Sequence, residues 1–359
     1  MTDFRILTVN PGSTSTKIAL FDNDKEVFEK NIHHSNEELS GFRRIPDQFG
    51  FRKDLILEAL KEEGMALDSI DAVVGRGGLV KPIPSGVYEV NEALIRDMID
   101  APLGEHASNL GGLIAADLAR QMGPKVRAFI ADPVVVDELQ EVARMTGLPE
   151  IRRVSIFHAL NQKAVARMYA ESVGKKYEDL NLIIAHLGGG VSVGAHRKGQ
   201  VVDVNNALYG EGPFSPERVG TLPARQLADL CFSGKYTYDE IKKMIAGQGG
   251  VVAHLGSNDI RTIREKAEAG AAQEQQVLDA LGYNVGKEIG AMAAVLKGKV
   301  DAILLTGGII HGLITREYIR EMVEFIAPVH YYPGEDEMHA LAVNGLRVLR
   351  GEAEPKVYV

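Results

Sequence analysis

Short apolar runs and polar, glycine-bearing turns alternate along the chain, and the alternation repeats. Arg5-Ile6-Leu7-Thr8-Val9-Asn10 reads as a strand that ends in Pro11-Gly12-Ser13-Thr14-Ser15-Thr16-Lys17. A second apolar run follows at Ile18-Ala19-Leu20-Phe21, then a polar turn at Asp22-Asn23-Asp24 and a third candidate strand at Val27-Phe28-Glu29-Lys30. The plan recurs half a chain later. Asn181-Leu182-Ile183-Ile184-Ala185-His186 runs into Leu187-Gly188-Gly189-Gly190, then Val191-Ser192-Val193-Gly194-Ala195, a turn at His196 to Gly199, and Val201-Val202-Asp203-Val204. Such a repeat predicts duplicated lobes, each offering backbone N–H groups at a tight turn. A third glycine element, Thr306-Gly307-Gly308, ends the apolar run Asp301 to Leu305.

Apolar residues recur at helical spacing from Asn109 to Gln121, Ala159 to Ala170 and Gln273 to Lys297. Strands alternating with helices predict α/β lobes. Leu148-Pro149-Glu150-Ile151 and Gly247-Gln248-Gly249-Gly250 read as loops, neither long nor polar enough for a flexible linker.

Length and composition narrow the picture. A chain of 359 residues, 45% hydrophobic, exceeds what one core usually supports, so two domains with a ligand-binding cleft are expected. The net charge is −9 without a lysine- or arginine-rich run, which argues against nucleic acid. Met1-Thr2-Asp3-Phe4-Arg5 leads into the first strand without a signal-peptide pattern, and no apolar run has membrane-spanning length. The single cysteine, Cys231, has no partner for an intramolecular disulfide and is expected to be a small buried apolar residue. A cytoplasmic protein is the expectation.

Several segments carry chemistry. Asn10 to Lys17 lacks Walker-loop spacing but gathers an amide, four hydroxyls and an ammonium in one turn, suited to an anion or hydrated magnesium; a merely polar hairpin is the alternative. The glycines after His186 let backbone lie against a nucleotide phosphate, or form a plain turn. Arg76, within Gly75-Arg76-Gly77-Gly78, and Arg225, closing Ser215 to Arg225, can grip a carboxylate in two-pronged fashion, although each taken singly reads as well as a solvated surface arginine. His158 sits in apolar company at a strand-to-helix junction, where a core histidine is the alternative. Asp132 and Glu335-Asp336-Glu337 offer oxygen ligands, or else a turn before Pro133 and an acidic helix cap.

In this order, with Asn10 to Lys17, Gly75 to Gly78, Ile130-Ala131-Asp132, Phe157-His158, His186 to Gly190, Ser215 to Arg225, Thr306 to Gly308 and Asp336-Glu337, the chain resembles the acetate and butyrate kinases over nearly its whole length. The resemblance implies membership of the actin, heat-shock chaperone and sugar-kinase group: an α/β protein of two lobes, each with a ββαβαβ-type core, around a central cleft. It implies an N-terminal lobe of 1–135 plus 337–359, carrying the phosphate hairpin and acyl-carboxylate arginine, and a C-terminal lobe of 136–336, carrying nucleotide-binding glycine turns. Gly189 stands where acetate kinases have asparagine, and Gly75 to Gly78 replaces their Arg-Val-Val-His-Gly-Gly; both departures, and Ala101 to Asn109, favour the butyrate type. His106 stands near the acetate kinases' helper histidine.

The implied activity is reversible, in-line transfer of the γ-phosphoryl group of ATP to the carboxylate of a short-chain fatty acid, butyrate first, with magnesium. Arg76 and Arg225 would grip the carboxylate and the phosphoryl group, and His158 would donate to its equatorial oxygens. Asn10, Asp132, Asp336 and Glu337 would organise the metal. Asn10, Ser13, Ser15, Lys17, His186, Gly188, Gly189, Gly190, Thr306, Gly307 and Gly308 would hold the nucleotide. A homodimer or larger homo-oligomer is implied, without nucleic acid or membrane. The physics agrees, because a carboxylate is ionised at neutral pH and needs no general base, so that catalysis reduces to positioning and charge neutralisation. Acetate, propionate or a branched acid remain as acceptors, and a non-catalytic ATP switch as the reading of another class.

Overall fold

Ile6, Leu7, Thr8 and Val9 are all buried in β1 (Arg5–Pro11), because this strand lies inside a sheet covered on both faces. The computed structural model describes residues 3–65 and 67–359; Met1, Thr2 and Ala66 lie outside the described residues. The chain divides into two units, Met1–Val136 with Asp336–Val359, and Asp137–Glu335.

In the first unit β1 pairs antiparallel with β2 (Ser15–Asp22), which pairs antiparallel with β3 (Lys25–His33). On its other side β1 runs parallel to β4 (Ala72–Arg76), and β4 parallel to β6 (Arg127–Ala131); short β5 (Val87–Glu89) closes the edge, giving the order β3-β2-β1-β4-β6-β5. The second unit repeats this. Its β7 (Asn181–Leu187), β8 (Val191–Arg197) and β9 (Gln200–Val204) form the antiparallel meander, while β10 (Ala302–Gly307) and β11 (Val329–Pro333) add parallel strands in the order β9-β8-β7-β10-β11. The duplicated α/β architecture read from the sequence is therefore present, strand for strand, with β5 the one addition.

Strand alternation decides which helix each site residue meets. In β7, Ile183, Ala185 and Leu187 join a core with the helix Ala272–Val295, whereas Leu182 and Ile184 join one with the helix Ala159–Ser172. His186 continues the second series, and so points toward the start of the 159–172 helix. In β1, Leu7 and Val9 pack with the helix Asn109–Met122, and Asn10 belongs to the opposite series, which faces the helix Glu337–Leu349. Asn10 and His186 thus occupy equivalent positions in the two sheets.

Glycines let one helix lie directly on β4. A Cβ on Gly75 would stand 2.1 Å from Gly111 O, and one on Gly111 would stand 2.3 Å from Arg76 O. This contact seats Arg76 at the strand end. The three helices expected from periodicity appear as Asn109–Met122, Ala159–Ser172 and Ala272–Val295.

The expected burial of Cys231 is corrected. It ends the helix Ala224–Cys231, none of whose residues is buried, and is itself exposed. Among the described residues no helix is long and apolar enough to cross a membrane.

Candidate active site

The first unit assembles an ion-paired arginine at the ends of β1 and β4. Arg76 Nη1 donates to Glu337 Oε2 at 2.7 Å and to Asn10 Oδ1 at 3.3 Å, and Asn10 Nδ2 donates to the same Glu337 oxygen at 2.7 Å. Both charged side chains are largely covered, at 23% and 14% exposure. Arg76 Nε and Nη2 make no hydrogen bond to the described residues, so the guanidinium keeps a two-pronged edge for a ligand carboxylate. Asp132, buried just past β6 with φ of 38°, accepts from Gly86 N at 2.8 Å. Asp336 caps the 337–349 helix by accepting from His339 N at 3.1 Å.

The polar hairpin beside this cluster is held from beneath by a residue that motif reading missed. Arg52, fully buried on the helix Phe49–Glu62, donates to Gly12 O, Ser13 O, Ser15 O, Thr16 Oγ1 and Gln48 Oε1 at 2.8 to 3.1 Å. Thr14 O accepts from His34 N at 2.9 Å. With the turn's carbonyls drawn inward, the exposed Ser13 and Thr14 present the outer face of the turn. Burial lowers the Arg52 pKa to about 10, and burial with the Arg52 charge lowers that of His34 to about 4. Lys17 pairs with Glu29 at 3.3 Å on the surface.

In the second unit His158 stands at the N-terminus of the 159–172 helix and stacks on His186, with ring centroids 3.8 Å apart and planes 13° from parallel. His158 Nδ1 is 2.9 Å from Ser192 Oγ, and His186 Nδ1 is 2.8 Å from Asn161 Oδ1. His186 Nε2 lies 3.0 Å from Glu335 Oε1 without hydrogen-bond alignment.

The glycines of the β7–β8 turn have separate reasons. A Cβ on Gly188 would stand 2.3 Å from Glu335 Oε1, and one on Gly190 would stand 2.0 Å from Arg218 Nη1 and 3.1 Å from His158 Cε1. Gly189 has no protein heavy atom within 4 Å of such a Cβ. At the end of β10, Gly307 has φ of 98° and exchanges backbone hydrogen bonds with Gly334, while Thr306 Oγ1 donates to Gly334 O at 3.3 Å. Gly308 is open, with nothing within 4 Å.

One expectation is corrected here. Arg225 is on the surface of the Ala224–Cys231 helix, 93% exposed, with Asp229 as its ion-pair partner at 3.8 Å. The arginine of that segment which the fold brings beside Gly190 and His158 is Arg218. Its Nη1 donates to Ala207 O at 2.8 Å, and it has no carboxylate partner among the described residues. Burial lowers its pKa, a cost that an anionic ligand would offset. No local signal separates Arg218 from Arg225, since both lie in the same loop-to-helix segment and only burial distinguishes them. His106 is engaged locally, its Nδ1 lying 2.8 Å from Ser108 Oγ.

No group of three or more His, Cys, Asp or Glu side chains forms a metal cage among the described residues. Magnesium does not require one, because it keeps several waters and binds nucleotide phosphates with one or two protein carboxylates. Glu337 beside the Asn10 amide fits that need, whereas Asp336 is turned to its own helix.

Comparison with known proteins gives the family and the fold. The acetokinase family model matches residues 143–328. The chain is 56% identical over 355 residues to butyrate kinase 2 of Clostridium acetobutylicum, with 99% of each chain covered. It is also 56% identical over 354 residues to a probable butyrate kinase of Phocaeicola vulgatus, again with 99% of each covered. The crystal structure of Porphyromonas gingivalis acetate kinase shares the fold, with a TM-score of 0.78 over 96% of this chain and 100% of that one at 21% identity. Two equivalent sheets, each ending in a polar turn with cationic side chains beside it, and full-length likeness at this level place the chain in the acetokinase family.

Proposed function

We propose that this protein transfers the γ-phosphoryl group of ATP reversibly to the carboxylate of a short-chain fatty acid, with butyrate as the acceptor. The observation that carries the reading is Arg218, a desolvated guanidinium without a carboxylate partner beside His158 and the Gly188–Gly190 turn. A half-buried cation of this kind is stabilised by an anion. The full-length relatives named butyrate kinase supply the substrate class, and the glycine at position 189 agrees with it.

In the reaction a carboxylate oxygen bonds to the γ-phosphorus while the bond from that phosphorus to the β–γ bridging oxygen breaks. ADP leaves with the bond's electron pair, and no proton is transferred. The protein's task is to offset repulsion between two anions and to hold them in line. Arg76, aimed by Glu337 and Asn10, takes the acyl carboxylate. Arg218 neutralises the phosphoryl group, and His158 donates to its equatorial oxygens. The turn at Ser13 and Ser15, with Lys17, the Gly188 to Gly190 turn and Thr306 to Gly308 receive the nucleotide. Magnesium, which screens the phosphates when bound, would be held by Glu337 and Asn10, with Asp132, just past β6, as a further oxygen ligand. On the family resemblance the reading extends to a cytoplasmic homodimer or larger homo-oligomer.

Trapping the acyl phosphate with hydroxylamine tests the proposal. With ATP, magnesium and straight-chain acids from acetate to hexanoate, the largest kcat/KM is expected for butyrate. A strong preference for acetate overturns the acceptor assignment, and ATP hydrolysis without any hydroxamate overturns the kinase reading in favour of an ATP switch.

A further inference from the structure

We infer that a buried hydrogen-bond relay, Tyr177 to His196 to Gln162 to Ser192, fixes His158 as the tautomer with its proton on Nε2, making Gln162 and Ser192 positioning residues for phosphoryl transfer. The inference rests on the reading of His158 as a donor to the transferring group.

The orientation of the Gln162 amide is forced. Gln162, fully buried on the 159–172 helix, places Nε2 3.0 Å from the backbone carbonyl of Ser192 and 2.9 Å from Ser192 Oγ. A carbonyl oxygen only accepts, so the group facing it is the NH2 and the amide oxygen faces the other way. That oxygen lies 2.8 Å from His196 Nε2, which must therefore carry a proton. His196 Nδ1 is then an acceptor, matched by the Tyr177 hydroxyl at 2.6 Å. Burial holds the fully enclosed His196 ring neutral, consistent with one proton per ring.

Ser192, which is completely buried, joins Gln162 to the second histidine. Its Oγ accepts from Gln162 Nε2 and, at 3.4 Å, from His158 N. Both lone pairs are then occupied, and the hydroxyl proton has His158 Nδ1, at 2.9 Å, as its acceptor among the described residues. With Nδ1 accepting, the proton of the neutral ring resides on Nε2, which becomes a hydrogen-bond donor. The opposite tautomer would leave a buried hydroxyl proton unsatisfied. The fold also makes room for the relay: a Cβ on Gly194 would stand 2.6 Å from Gln162 Oε1.

The purpose follows from the chemistry. A transferring phosphoryl group presents only acceptor oxygens, so an imidazole offering a lone pair would repel it, while one offering N–H stabilises it. Solvent would allow both tautomers. A relay anchored at a backbone carbonyl removes the wrong one before substrate arrives.

The test is nitrogen NMR on the full-length protein labelled with 15N-histidine, with the His158 signals assigned by their loss in His158→Gln. The expected spectrum shows a pyrrole-type Nε2 and a pyridine-type Nδ1 for His158. The reverse pattern, or two averaged nitrogens, overturns the inference. In Ser192→Ala the two nitrogens are expected to move toward averaged shifts, with kcat reduced about 10- to 100-fold and the KM for each substrate within about twofold of wild type. Unchanged shifts and kcat in that variant also overturn it. Full activity in His158→Ala would instead overturn the histidine's role in transfer, leaving the tautomer to stand or fall on the spectrum alone.

Discussion

The imidazole of His158 lies flat on that of His186, ring centroids 3.8 Å apart, although one residue begins a helix and the other nearly ends a strand. Strand alternation turns His186 to the face of its sheet that carries the 159–172 helix, and the start of that helix delivers His158 there. Arg218 reaches the same place by filling the space a side chain at Gly190 would occupy. Imidazole and guanidinium are thus set around one glycine.

Exchanging the two arginines of the 215–225 segment for alanine should separate them sharply. Arg218→Ala is expected to lower kcat by about 100- to 1000-fold, the usual loss for a preorganised charge on a transition state. Arg225, at 93% exposure, should change kcat by less than about twofold on substitution, as solvated ion pairs contribute little. Steady-state kinetics decides, and the reverse ranking would restore Arg225.

Neighbouring glycines should also differ. Gly190→Ala must displace Arg218 Nη1, which stands 2.0 Å from the new methyl position, and kcat should fall about tenfold or more. Gly189→Ala meets no protein atom within 4 Å, so the unfolding midpoint should hold. If nucleotide lies against that turn, the KM for ATP rises; unchanged ATP kinetics would remove Gly189 from the nucleotide site.

Arg52 should matter to both stability and nucleotide binding. Arg52→Leu removes the donor shared by the carbonyls of Gly12, Ser13 and Ser15 and by Thr16 Oγ1, at a cost on the order of 3 kcal/mol. Urea unfolding should show the loss, and the KM for ATP should rise as the turn loosens. Arg52→Lys should recover only part of either, since one ammonium cannot match a planar fork.

His34 predicts an acid limb in stability. Burial and the Arg52 charge lower its pKa from 6.5 to about 4 in the folded state. Between those values the unfolded chain binds the extra proton, so stability declines as pH falls through that window and the contribution is fully lost below about pH 4. His34→Gln should flatten this limb in denaturant titrations across the window. An identical slope in both proteins would locate the acid sensitivity elsewhere.

Local pattern carried much of the architecture. The strands flanking each polar turn, the duplication and the three long helices are written in side-chain periodicity, because period two and period 3.6 each follow from backbone geometry within a few residues. The motif order also pointed to the acetokinase family. Composition did not reveal that Cys231 is exposed, because its helix buries none of its residues.

Charge placement required tertiary structure. Asn10 meets Glu337 across 327 residues of chain, and Arg76 meets it across 261. Arg52 and Arg218 carry no local mark, since their roles come from burial under a turn and beside a glycine. The amino-acid order by itself determines where the backbone can extend, coil or turn tightly. Which cation loses its water, and which histidine nitrogen holds a proton, depends on partners supplied by distant segments, because desolvation and hydrogen-bond satisfaction arise only once those segments pack.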